Sequence, residues 1–87
     1  MTDSEKLKIK KLHLQLANER EPNKTYCPSE VARKLDVKNW REHMDNVRNV
    51  ADELIAENRL EVLQKGKTLQ EKASKALGAI RLRKKIL

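Results

Sequence analysis

The clearest periodicity in the chain lies between Trp40 and Ile55. Trp40, Met44, Val47, Val50, Ala51, Leu54 and Ile55 fall in one wide stripe, and Arg41, Asp45, Arg48, Asn49 and Asp52 occupy the other side. This predicts a long amphipathic helix, with Asn58 as a natural stop. Upstream, Pro28 to Leu35 reads as a shorter helix with Val31, Ala32 and Leu35 on its apolar edge. Proline suits a first helical position because its missing N–H is not needed there. Ser29 is the other candidate to start this helix, as a cap. Asp36-Val37-Lys38-Asn39 separates the two helices as a tight break. Two helices joined by such a short turn form the core of a helix-turn-helix.

The flanking segments supply the remaining elements. Thr2 and Glu5 have capping-box spacing, which predicts a first helix from about Ser4 to Ala17. At about 100° per residue, Ile9, Leu12 and Leu16 share its inner face. Leu7 and Leu14 lie nearly opposite, so they are either half-exposed, packed on a second side, or part of a dimer seam. Asn18 to Lys24 reads as a surface loop, and Thr25-Tyr26-Cys27 as a short extended segment. After the long helix, Leu60 to Gln64 predicts a strand, Lys65-Gly66-Lys67 a turn, and Thr68-Leu69 the start of a return. Thr68 and Glu71 repeat the capping-box spacing, so a short helical turn is expected to reach about Leu77 and end at Gly78. Ile80-Arg81-Leu82-Arg83 alternates apolar and basic, as a half-buried strand does. It should pair with Leu60–Gln64 and set Arg81 and Arg83 on the outer face. The predicted class is mainly α (α+β): a winged helix-turn-helix of three helices and a small antiparallel β-wing, forming one domain over residues 1–87. Its core spans about residues 4–83, with a short basic tail over 84–87.

Length and composition limit what such a domain can do. A chain of 87 residues buries only ~60% of its unfolded surface, too little to wall a deep substrate pocket. Cys27 is the only cysteine, so neither an internal disulfide nor a cysteine-rich zinc site is available, which fits a reducing compartment. The charged N-terminus lacks an apolar signal core, and no apolar run is long enough to span a membrane. A cytoplasmic protein is therefore expected. Charge is distributed unevenly. Residues 1–58 balance, so the whole formal net charge of +7 resides in residues 59–87. A one-sided basic field attracts phosphate polymers or anionic surfaces.

A resemblance points the same way. Cys27-Pro28-Ser29-Glu30-Val31-Ala32-Arg33, then Trp40-Arg41, Val47-Arg48, and Gly78 with Ile80-Arg81-Leu82-Arg83 resemble a bacterial family of winged-helix proteins, domain of unknown function 3253. The likeness covers roughly residues 8–84. Members often have Gly-Pro before Ile-Arg, where this chain has Gly78-Ala79. The resemblance implies a winged-helix fold and brings no activity, substrate or catalytic residue with it.

Two sets of residues are candidates for contact with nucleic acid. In helix-turn-helix proteins the second helix of the motif reads base edges, which singles out Arg41, Asn46, Arg48 and Asn49. Against this, Arg41 with Asp45 and Arg48 with Asp52 have the spacing of ordinary helix ion pairs, worth about 0.2–0.5 kcal/mol each. From Asn39 to Asn58, moreover, Glu42, Asp45, Asp52, Glu53 and Glu57 outnumber the two arginines. The second set is the basic end: Lys65 and Lys67 on the wing, and Arg81, Arg83, Lys84 and Lys85 on the last strand and tail. Lys6, Lys8, Lys10 and Lys11 join it if they fall on the same side. Trp40 is expected in the core, Cys27 as a small buried hydrophobe, and His43 as structural or surface. No nucleophile, base and oxyanion constellation stands out, and no phosphate loop. The expected function is non-enzymatic binding of duplex DNA, with RNA or a protein partner as alternatives. No cofactor, metal or membrane contact is expected, and monomer and homodimer both remain open.

Overall fold

The computed structural model describes residues 1–20 and 24–85. The helices are α1 (Asp3–Glu19), α2 (Pro28–Leu35) and α3 (Met44–Ala56). A 3-10 turn over Trp40–His43 leads into α3. The strands are β1 (Leu60–Gln64), β2 (Lys67–Thr68) and β3 (Arg81–Lys84), in the antiparallel order β2-β1-β3. Tyr26 forms an isolated bridge to Leu82 on the free edge of β3. Helix, bridge, helix, helix, strand and wing in this order make a winged-helix arrangement.

Local chemistry explains where the helices begin and end. The Thr2 hydroxyl accepts from the Glu5 amide and caps α1. At α2, Cys27 takes the cap position, Pro28 opens the helix, and the Glu30 carboxylate accepts from the Cys27 N–H. Ser29 is therefore not the cap, and its hydroxyl donates to the Cys27 sulfur instead. Asn58 closes α3 in a left-handed conformation, φ 61°. Its amide bonds to the Ile55 carbonyl and the Arg59 amide to the Leu54 carbonyl, a complete Schellman motif.

The core lies where α1, α2 and α3 meet the inner face of the sheet. Ile9 and Leu16 from α1, Val31 from α2, Val47, Val50 and Leu54 from α3, and Leu60, Val62, Ile80 and Leu82 from the strands are all buried. Each such side chain contributes about 1.5–3 kcal/mol by leaving water. Leu14 packs partly against this core, whereas Leu7 is 53% exposed.

Several elements differ from the sequence reading. No helix forms between Thr68 and Leu77. Only one turn closes there, with the Lys75 and Ala76 amides bonding to the Lys72 carbonyl. The reason is that Ala73 and Ala76 are drawn into the core while Ser74 is held by Asp52, so tertiary contacts override the local capping signal. The long helix starts as a 3-10 turn, and Trp40 is half-buried at the edge of the core. Cys27 is half-buried as well. Helix α1 runs on to Glu19, and the rest of the expected loop includes residues 21–23, outside the described residues. Lys84 belongs to β3 and the tail beyond Lys85 is likewise outside them.

Candidate nucleic-acid interface

The turn between α2 and the Trp40 segment is built around one carboxylate. Asp36 accepts from the amides of Lys38 (3.2 Å) and Asn39 (3.1 Å), and stands 3.3 Å from His43 Nε2. The Asn39 amide chiefly, with His43 and the Lys38 amide behind it, holds the Asp36 carboxyl below its usual range against a smaller effect of burial. Its charge is thus committed to the turn. Around it, Arg33, Lys34, Lys38 and Arg41 are all exposed, and none forms an ion pair among the described residues. The guanidinium carbons of Arg33 and Arg41 stand 4.5 and 4.8 Å from the Trp40 ring centroid. Trp40 is therefore a shelf that fixes two cations at the mouth of the motif. Arg33, Lys34 and Lys38 were not among the residues singled out from sequence. Their signal was there: cations in the last turn of α2 and in the break itself, opposed only by Asp36.

Helix α3 distributes its charges in a way the sequence does not display. Glu53 pairs with Lys6 at 2.8 Å and Glu57 with Lys10 at 3.1 Å, across to α1. The Glu53 carboxylate holds the Lys6 ammonium above its usual range. Asp52 accepts from the Ser74 amide and hydroxyl. Neither intrahelical pair, Arg41 with Asp45 or Arg48 with Asp52, forms. Glu42 and Asp45 are exposed and form no ion pair among the described residues. The same pairs withdraw Lys6 and Lys10 from any basic patch.

Arg48 is used internally. It donates to the carbonyls of Ala76 (3.0 Å) and Gly78 (2.9 Å), clamping the wing loop to α3. Asn49 is exposed and Asn46 half-buried. Asp45, Arg48 and Asn49 line a cleft of about 250 Å³ with Ser74 and Lys75 of the loop.

The strand register divides the basic end. Lys65 and Lys67 are exposed at the hairpin tip, whereas Lys84 stands opposite Leu60 at the far end of β1. Five residues at ~3.3 Å each separate the two groups by roughly 17 Å. Lys84 and Lys85 line a groove of about 180 Å³ with Arg59, Leu14, Ala17, Asn18 and Asn58, and Lys85 donates to the Asn58 side chain. Arg81 donates to the hydroxyl and carbonyl of Thr25. Arg83 is half-buried and pairs with Glu61, directly across the sheet. Arg81 is thus on the exposed side as expected, but Arg83 is held against its cross-strand partner.

A family model described as "Protein of unknown function (DUF3253)" matches residues 6–85. The chain belongs to the DUF3253 family. The match spans both the helix-turn-helix and the wing, so in this DUF3253 chain the turn cations, the Trp40 shelf and the Arg48 clamp all lie within the family region. No curated protein matches the chain. Among the described residues, no helix is long and apolar enough to cross a membrane, and no cluster of metal-ligating side chains occurs.

Proposed function

We propose that the protein binds duplex DNA without catalysing a reaction, as a transcription-associated or architectural winged-helix factor. The Trp40–Ala56 segment faces the major groove, and Lys65 and Lys67 reach the backbone beside it. One observation carries this reading: Arg33, Lys34, Lys38 and Arg41 gather around the helix-turn-helix turn while the one carboxylate there, Asp36, is engaged by the turn's own amides and His43. Lysine partners from α1 offset the charges of Glu53 and Glu57, two of the five acids on this segment, which weakens the electrostatic objection to an acidic helix near phosphates. Arg41 and Asn49 are the side chains free to meet base edges.

The test is binding to a labelled random duplex between about 50 and 200 mM salt. Affinity should fall steeply with salt, by about 0.9 in log–log slope for each phosphate neutralised. Replacing Lys34 and Lys38 with alanine should flatten that slope and weaken all sequences alike, whereas replacing Lys84 and Lys85 should have the smaller effect. Absence of binding at low salt rejects the proposal. The alternative, a protein-interaction or oligomerisation module, draws on exposed Leu7. Its companion Leu14 packs partly against the core, which leaves little of a leucine seam. A mass that rises with concentration, without attraction to DNA, would favour that alternative.

A further inference from the structure

Leu77 is 90% exposed, the most exposed large apolar side chain among the described residues. Single exposed leucines are ordinary. This one differs in how its backbone is held. Arg48 donates to the carbonyls of Ala76 and Gly78, and Gln64 donates to those of Leu77 (2.5 Å) and Ala79 (3.3 Å). Four consecutive carbonyls are thus taken alternately by one side chain from α3 and one from β1. Ala76 and Ile80, on either side, are buried. Gly78 turns the chain at φ 84°, which lets Leu77 protrude between two anchored neighbours. The side chain is presented on a rigid mount instead of a loose loop.

Its surroundings are basic. Gln64, which grips the Leu77 carbonyl, immediately precedes Lys65 and is paired with Lys67. Lys75 is two residues away and exposed, and Arg81 stands opposite Leu63, next to Gln64. An apolar tip on a loop anchored beside the exposed Lys65, Lys67 and Lys75 matches the chemistry of a base step flanked by phosphates.

We propose that Leu77 is a wedge that enters the minor groove and partly unstacks a base step, so that the protein bends the duplex it binds. This rests on the DNA-binding reading above. Wedge residues of this kind kink DNA by roughly 20–90°. Pyrimidine–purine steps, which unstack most readily, are the preferred points of entry.

The experiment compares the full chain with Leu77→Ala on two duplexes, one with a central TA step and one with a stiff A-tract, each labelled at both ends for energy transfer. The wild-type chain should shorten the end-to-end distance of the TA duplex. Leu77→Ala should abolish the shortening and weaken TA binding about tenfold, while A-tract binding and the salt slope stay within about twofold. Leu77→Met should restore the bend, and Gln64→Ala, which loosens the mount without removing the wedge, should reduce it. Because Leu77 is exposed, its replacement leaves the fold intact, and an unchanged melting temperature verifies this. Salt-sensitive binding with an equal bend in wild type and Leu77→Ala, or with no bend in either, overturns the wedge and leaves DNA binding standing. No binding to either duplex overturns both.

Discussion

The His13 imidazole and the Tyr26 hydroxyl share a buried hydrogen bond of 2.9 Å. The other ring nitrogen, Nε2, stands 2.9 Å from the Val47 carbonyl, which can only accept. Nε2 therefore carries a proton, and because burial keeps the ring neutral at neutral pH, Nδ1 accepts from Tyr26. One polar side chain of α1 thereby ties together α3 and the extended segment before α2.

This geometry sets an acid limit on stability. Burial outweighs the Val47 contact and pushes the His13 pKa from 6.5 down to about 4. The folded chain then binds fewer protons than the unfolded one between these values. Stability should be complete above pH 6.5, fall as pH drops towards 4, and level off below, losing on the order of 3 kcal/mol in total. Denaturant titrations across this window measure it. His13→Leu should be less stable at neutral pH and show a flatter profile between pH 4 and 6.5.

Glu30 acts at lower pH. Burial alone would raise its carboxyl, but the Cys27 amide and the Arg20 guanidinium, with Arg81 behind them, outweigh that and hold it below the usual range. A depressed carboxyl contributes stability above its unfolded pKa and loses it as pH falls. Glu30→Gln keeps the shape but weakens the cap and the 2.6 Å contact with Arg20. We expect a loss of about 1 kcal/mol at pH 7 that shrinks in acid.

The Arg48 clamp predicts a local effect. Arg48→Ala leaves the Ala76 and Gly78 carbonyls to water and should cost about 1–2 kcal/mol. Amide exchange should quicken through residues 73–80 more than in the centre of α1. Arg48→Lys cannot reach both carbonyls in a fork and should recover only part of the loss.

The hairpin turn is open to improvement. Lys65 and Gly66 both have positive φ, 52° and 80°, as a two-residue type I′ turn requires. Lysine is strained there, and asparagine tolerates the conformation better. Lys65→Asn should stabilise the fold by about 0.5 kcal/mol. Gly66→Ala meets open space but an unfavourable backbone, and should cost roughly 1–2 kcal/mol. Melting temperatures measure both, at about 4–8 °C per kcal/mol for a domain of this size.

What was legible in the chain follows from the range of each interaction. The stripe from Trp40 to Ile55, Pro28 as a helix opener, Asn58 as a stop and the pairing of β3 with β1 are all local or periodic signals, and the structure has each of them. The Thr68–Glu71 spacing misled because Ser74, Ala73 and Ala76 answer to α3 and the core, which no short window contains. Trp40 packs against the core as expected but is only half-buried, with two arginines over its ring. At the candidate interface, the division of Lys65 and Lys67 from Lys84 and Lys85 follows directly from antiparallel register, yet a count of charge along the chain merges them. The destinations of Glu53 and Glu57 were hidden because their partners lie on another helix, more than forty positions away.

Those two cross-helix pairs give the first helix a second task besides closing the core. Cut loose, α3 would show any polyanion a row of repelling carboxylates. With α1 docked, the row is shielded from behind, so a shortened chain lacking its first turns should lose attraction to phosphate even where its remaining basic side chains are untouched.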